Sequence, residues 1–196
     1  MKQTMKTYVS LIFSGLPVLL YFMKFSNSTN TLINTNNGDV MCIEIKDINS
    51  KCKFCNQQEL DCASMGIMDG VLSSPTLSLS NLVPNQTSII NLSGNELTYL
   101  NIDYSEMWVD SVRKLVVSHN KINVIYDGTF NGATNLEVLD LSYNLIDFLQ
   151  SDVFDNLRKL QTLDLSHNLL PRIDGFWFQG PRDLIRLNLS YNQIGR

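Results

Sequence analysis

The sequence has 196 residues, of which 44% are hydrophobic and 17% are charged, and its formal net charge is −4 at pH 7. This length and apolar content suffice for one domain with a hydrophobic core. The mildly acidic balance argues against nucleic acid as a partner, because proteins that bind nucleic acid carry clustered Lys and Arg.

The first 28 residues have the pattern of a secretory signal peptide. A short basic region, Met1–Lys6, precedes an apolar run from Tyr8 to Met23. This run is shorter than the roughly 20 apolar residues of a spanning helix. We therefore predict a signal peptide at 1–28, cleaved after Ser28, and an extracellular protein that is secreted or held at the cell surface. An uncleaved signal anchor is the alternative, and no other segment is expected to insert into a membrane.

The stretch from Ser26 to Asp39 consists mostly of Ser, Thr, Asn and Gly. Such a composition buries too little apolar area to fold alone, so a flexible segment is predicted at 29–41. In an extracellular chain, Asn-x-Ser/Thr triplets are acceptors for N-linked glycans. The predicted glycosylation sites are Asn27, Asn85, Asn91 and Asn188.

All four cysteines lie close together, at Cys42, Cys52, Cys55 and Cys62. An even, clustered set behind a signal peptide predicts two disulfides. A zinc site of four cysteines is the alternative, but the secretory context and the single C-x-x-C spacing do not favour it. The spacing alone permits three pairings.

A repeated frame organises the rest of the chain. In the stretch Leu136–Ile146, apolar residues occupy positions 1, 4, 6 and 11, and Asn144 occupies position 9. The frame occurs five times, with successive Asn residues 24 or 25 positions apart. Because an amide both donates and accepts, each Asn is predicted to satisfy backbone groups where the chain turns. The predicted ladder consists of Asn95, Asn120, Asn144, Asn168 and Asn192.

These units resemble the extracellular, 24-residue class of leucine-rich repeat. The resemblance implies an α/β solenoid, a right-handed superhelix or horseshoe. Its concave face carries a parallel β-sheet, and its convex segments are irregular or briefly helical. The cysteine segment resembles the N-terminal cap of this family, which implies the pairs Cys42–Cys55 and Cys52–Cys62. We thus predict a cap and an atypical first repeat at 42–84, and leucine-rich repeats at 85–196.

Two further features concern the core and its end. Phe130, Phe154 and Phe178 recur in the return segments and are predicted to stack inside the convex wall. The last repeat is incomplete, which would leave the inner face of Leu187 and Leu189 without a neighbour. Two interpretations follow: the sequence is part of a longer protein, or this end forms a homo- or hetero-dimer.

Ligand binding in this family usually uses the concave strand face, so the outward positions 3, 5 and 8 supply the candidate residues. The ligand-binding candidates are Lys114, Val116, His119, Val138, Asp140, Tyr143, Thr162, Asp164, His167, Arg186 and Tyr191. Val116 and Val138 form a small apolar centre, and the aromatic residues line one edge. Aromatic residues and Arg are enriched among interface hot spots.

No catalytic or metal-binding set stands out. Asp140 and Asp164 fall on adjacent strands, near the carboxylate spacing of retaining glycosidases, but nothing nearby predicts a deep pocket. His119 and His167 each follow a Ser only because the repeat frame places them there, and two His are too few for zinc. No enzymatic activity, metal or cofactor is predicted.

The resemblance implies a recognition module that binds a protein or glycan ligand, as in Toll-like innate immune receptors and in neuronal adhesion and guidance proteins. Small matrix proteoglycans share the repeat, so a structural role in the extracellular matrix is the main alternative. A hydrolase is the remaining alternative, from a different class.

Overall fold

The computed structural model describes residues 52–55, 58–68, 87–100 and 111–195, and the backbone of four strands at 10–13, 16–19, 31–34 and 41–44. β1 (Ser10–Phe13) and β2 (Leu16–Leu19) form an antiparallel pair. The predictions of a signal peptide at 1–28 and a flexible segment at 29–41 fall mostly outside these residues and stay predictions. Asn27 and Asn85 also lie outside them.

A nine-stranded sheet forms the main structure. Its first four strands are antiparallel neighbours. They are β3 (Thr31–Asn34), β4 (Met41–Glu44), β5 (Lys53–Cys55) and β6 (Glu59–Asp61). The sheet continues from β6 as a run of parallel strands. These are β7 (Ile89–Asn91), β8 (Lys114–Val116), β10 (Val138–Asp140), β12 (Thr162–Asp164) and β13 (Arg186–Asn188). The predicted solenoid with a parallel sheet is confirmed.

One parallel strand and the segment that returns from it are called here a repeat, named by its strand. Each strand has only three residues, but its central residue points inward and pairs with the equivalent residue of the next repeat, as Leu139 pairs with Leu163. Both side chains are completely buried, as are Leu141 and Leu165 at position 6. Stacking therefore supplies the apolar burial that no single repeat can supply alone.

The return segments form the opposite wall with little regular structure. β9 (Val124–Ile125) and β11 (Phe148–Leu149) form a second, two-stranded parallel ladder. The β12 repeat returns through a 3-10 helix at Gly175–Phe178, whose first turn is capped by the Asp174 side chain. No α-helix occurs in the described ranges. The predicted irregular or briefly helical convex wall is thus confirmed.

Aromatic side chains fill the core beneath this wall. Phe130 and Phe154 are buried, and their ring centroids lie 5.9 Å apart. In the β12 repeat the 3-10 helix turns Trp177 inward, leaving it 3% exposed, and Phe178 is only partly buried beside it. Sequence spacing predicted Phe178 for this column but did not identify Trp177.

The position-9 asparagines join neighbouring repeats through hydrogen bonds. The Asn144 Nδ2 group donates to the carbonyl oxygens of Leu141 in its own repeat and Val117 in the preceding one, at 3.1 and 3.0 Å. Its Oδ1 accepts from the Ile122 N–H at 3.1 Å. Equivalent bonds surround the other four members: Asn95, Asn120, Asn168 and Asn192. The side chains thus replace backbone partners that the turning chain has lost.

A disulfide between Cys52 and Cys62 closes the N-terminal cap, as predicted. Cys55 is also disulfide-bonded, and its register partner on β4 is Cys42. The side chain of Cys42 is outside the described residues, so the pair Cys42–Cys55 stays a prediction. Leu60 of β6 pairs with Ile90 of β7, and the cap thereby continues directly into the parallel sheet.

The β13 repeat is the most exposed part of the solenoid. All three residues of β13 are exposed, and Leu187 and Ile194 show 40% and 37% of their surface to solvent. The described part of the chain contains no helix that could cross a membrane.

Candidate functional site

The outward side chains of the parallel strands form columns on the concave face. Lys114, Val138, Thr162 and Arg186 share one column, and Val116, Asp140 and Asp164 share the next. Lys114 and Arg186 are exposed, whereas the other five are only partly exposed. The structure therefore brings the predicted concave residues together on one shallow surface.

The two aspartates of this surface already have hydrogen-bond partners. Asp140 Oδ1 accepts from the N–H and the hydroxyl of Ser142, at 3.0 and 2.6 Å. Asp164 Oδ1 accepts from the same groups of Ser166, and its Oδ2 accepts from Asn188 Nδ2 at 3.1 Å. These bonds support a role in ending each strand. The described residues include no cluster of side chains able to hold a metal ion.

The aromatic residues at position 8 form a continuous stack along one edge of the sheet. Tyr143 lies between His119 and His167, with ring centroids 4.2 and 4.0 Å away. His167 in turn stacks on Tyr191 at 4.2 Å, and the rings are within 11° of parallel throughout. We call these four residues the aromatic ladder. Both faces of the two inner rings are covered, so these two rings present their edges to solvent, whereas the terminal ring of Tyr191 is 75% exposed.

The backbone at the aromatic ladder has an unusual conformation. All four residues have positive φ, between 53° and 56°. This conformation directs three of their N–H groups to the next repeat, as when the Tyr143 N–H donates to the Ser166 carbonyl oxygen at 3.0 Å. Left-handed backbone costs a residue with a side chain roughly 1–2 kcal/mol, a penalty that glycine avoids. Gly94 occupies this position in the β7 repeat.

The left-handed backbone would therefore favour glycine, and not an aromatic residue, at these four positions. Ser64 of the cap and Gly94 have the same left-handed conformation, so the backbone is a feature of the repeat turn and only the aromatic side chains distinguish this edge. Four successive aromatic rings on such backbone, exposed along one edge, make the aromatic ladder the leading candidate for a binding surface. The sequence placed these residues at one edge, but it showed neither the stacking nor the left-handed backbone.

Substitutions at Tyr143 would separate the backbone effect from the effect of the ring. Tyr143→Gly removes the stacking but relieves the left-handed strain, so the unfolding free energy should change by less than about 1 kcal/mol. Tyr143→Val loses the ring and keeps the strain, with a branched side chain, and should destabilise by about 2–3 kcal/mol. Urea unfolding measured by circular dichroism tests both, and equal losses would contradict this account.

Beside the aromatic ladder lies an apolar surface that the sequence analysis did not select. Leu145 and Leu169, both at position 10, are exposed on adjacent repeats, and Phe148 and Pro171 are exposed a few residues further along. We call these four residues the lateral patch. The signal was present in the sequence, because position 10 is charged in the β7 and β8 repeats and leucine in the next two.

Two predicted glycosylation sites lie on the concave face. Asn91 is partly buried on β7, and its Oδ1 accepts from the N–H and hydroxyl of Ser93. Asn188 is exposed on β13 and makes the equivalent bonds to Ser190. Both sites stay predictions, and they flank the candidate concave surface on its two sides.

Comparison with known proteins supports the repeat architecture. Residues 110–170 match the family described as leucine rich repeat. No curated protein matches the chain.

Several solved structures match this chain, and the match to Toll has a TM-score above 0.5. Toll, in the Toll–Spatzle complex of Drosophila, is 24% identical over 58% of this chain, with a TM-score of 0.53. TLR13 in complex with ssRNA13 is 22% identical over 70% of this chain, with a TM-score of 0.37. The ectodomain of the receptor kinase SOBIR1 from Arabidopsis thaliana is 19% identical over 83%, with a TM-score of 0.43. This chain spans 15% of the Toll chain, 25% of the TLR13 chain and 85% of the SOBIR1 chain.

Proposed function

We propose that this chain, which is a leucine-rich-repeat protein, is an extracellular recognition module that binds a protein or glycan ligand and catalyses no reaction. The observation that carries the proposal is the exposed aromatic ladder on left-handed backbone. Such rings contribute little to the core, and aromatic residues are frequent among interface hot spots.

Two features support an extracellular location. The Cys52–Cys62 disulfide is typical of proteins that fold in an oxidising compartment. The Asn-x-Ser triplets at Asn91 and Asn188 would also be used only in the secretory pathway. Toll, whose fold is similar, is an innate immunity and development protein solved in complex with Spatzle. A binding role for this chain agrees with that use of the fold.

Two surfaces compete for the ligand, the concave centre around Val116 and Val138 and the aromatic ladder. The ladder is the better candidate, because the neighbouring carboxylates of the concave face are committed to Ser142 and Ser166. Glycans on Asn91 and Asn188 would further narrow access to the concave centre from both sides. The ladder has no acceptor triplet in any of its repeats at positions 8 to 13.

The test is a binding screen with two matched double variants. The secreted protein is applied to arrays of extracellular proteins and of glycans, and each hit is remeasured with Tyr143→Gly/His167→Gly and with Val116→Glu/Val138→Glu. We expect the ladder variant to bind at least about tenfold more weakly and the concave variant to bind normally. Normal binding by a folded ladder variant would move the site to the concave face. If the protein binds only other copies of itself or matrix fibres, this result would support a structural role in the extracellular matrix.

A further inference from the structure

The lateral patch adjoins a cleft on the outer side of the β10 and β12 repeats; Phe148 and Pro171 line this cleft, whereas Leu145 and Leu169 lie beside it. The cleft has a volume of about 400 Å³, and Phe148, Leu149, Leu170, Pro171 and Trp177 supply its apolar lining. This volume lies at the lower end of the range for ligand sites. Because Leu149, Leu170 and Trp177 are buried, the floor of the cleft is part of the solenoid core.

Two charged side chains at the rim of this cleft have no partner among the residues that the structure describes. Asp147 belongs to the β10 repeat and Arg172 to the β12 repeat, and both line the cleft and are exposed. Neither side chain forms an ion pair or hydrogen bond with the described residues. The third charged residue, Asp174, is occupied, because its carboxylate accepts from the Phe176 N–H and the Ser151 hydroxyl. One free charge of each sign therefore remains.

Position 10 of the two preceding repeats carries charged residues instead of leucine. Glu96 and Lys121, which correspond to Leu145 and Leu169, form an ion pair with each other. Asn123, which corresponds to Asp147, is polar and uncharged. Among the five repeats of the frame, position 10 is thus leucine only in the β10 and β12 repeats. Tyr99, which corresponds to Phe148, is also exposed in the β7 repeat. An exposed apolar patch bordered by polar groups is typical of an interaction site.

The chemistry of this surface favours polypeptide over carbohydrate. The side chains of the lateral patch are three aliphatic groups, those of Leu145, Leu169 and Pro171, and one aromatic ring, that of Phe148, and none of them can hydrogen-bond to a sugar hydroxyl group. Apolar protein side chains suit such a surface, and opposite charges at the rim would fix the direction of a bound segment.

We propose that the cleft binds a polypeptide segment of a partner protein, which inserts one apolar side chain between the β10 and β12 repeats. A basic residue of the segment pairs with Asp147, and an acidic residue pairs with Arg172. This inference rests on the proposed function and specifies its partner as protein. The lateral patch supplies the apolar contact, and the adjacent aromatic ladder extends the interface.

The test uses random dodecapeptides displayed on phage, selected against the full secreted protein. We expect peptides with an apolar residue flanked by opposite charges. Phe148→Glu, at the cleft, should weaken their binding at least about tenfold, and so should Leu145→Glu and Leu169→Glu on the surface beside it. Gln193→Glu is the matched control, because Gln193 is exposed at position 10 of the β13 repeat, and it should change binding less than about twofold. When the selection is repeated against Arg172→Glu, the peptides should carry a basic residue in place of the acidic residue that pairs with Arg172.

Several outcomes would overturn the inference. The first two are that no peptide is selected, or that peptide binding survives both leucine substitutions. The other two are that glycans on the array bind in a way that depends on Leu145 and Leu169, or that the protein self-associates and Leu145→Glu abolishes this association. Melting curves of each variant establish that it is folded. Ligands from the arrays could bind in a way that requires Tyr143 and His167 but not the lateral patch. This result would refute the present inference and leave the proposed function intact.

Discussion

Replacing Asn144 by Leu is expected to lower the free energy of unfolding by about 3–5 kcal/mol, since each unsatisfied buried group costs about 1–3 kcal/mol. The substitution would leave the Ile122 N–H and the carbonyl oxygens of Val117 and Leu141 without their side-chain partner. Leu has a similar size, so the loss would measure hydrogen bonding more than volume.

Urea unfolding followed by circular dichroism measures this loss. Asn123→Leu is the matched control, because Asn123 is exposed on the preceding β8 repeat and, among the described residues, only its backbone groups form hydrogen bonds. Exposed substitutions usually change stability by no more than about 0.5 kcal/mol. Equal effects of the two substitutions would show that the side-chain amides of the position-9 asparagines are not needed for stability.

Replacing Phe154 by Ala is expected to destabilise the solenoid by about 3–5 kcal/mol, the range for buried aromatic residues. Phe154 is completely buried and packs against Phe130. Because repeats contact only their neighbours, a cavity in the middle of the stack should also separate the unfolding of the two sides and broaden the transition.

Thermal and urea unfolding both report this effect. Phe176→Ala provides the control, because Phe176 is 56% exposed on the 3-10 helix one repeat later. It should change the unfolding free energy by less than about 1 kcal/mol. A sharp transition of unchanged midpoint in Phe154→Ala would mean that the convex wall does not stabilise the fold.

The repeat frame predicted the sheet because burial and spacing are both periodic. Leu139 and Leu163 had to face inward once their strands were placed side by side, and the register shows that they do. Trp177 could not be predicted, because its inward direction depends on a local 3-10 turn that the frame does not encode. Spacing indicates which residues share a column, but the local backbone decides which of two adjacent aromatic residues enters the core.

The candidate site was predicted less completely than the core. His119 and Tyr143 could be placed at one edge by position alone, but their stacking depends on a positive φ that no sequence pattern specified. The lateral patch was missed because exposed leucines in a leucine-rich sequence resemble core residues. Leu145 is distinguished from Ile146 only by its position in the frame.

The strand register also bears on how such a protein can change in evolution. Neighbouring strands of the parallel sheet are 30 residues apart in sequence for β6 and β7, 25 for β7 and β8, and 24 for each later pair. The pairing nevertheless stays in the same register at every step. Extra residues are therefore absorbed outside the sheet. Duplication or loss of a whole repeat would preserve all remaining pairings, whereas an insertion within Val138–Asp140 would turn buried leucines toward solvent. Gene-level changes in repeat number can thus lengthen or shorten the binding surface without redesigning the core.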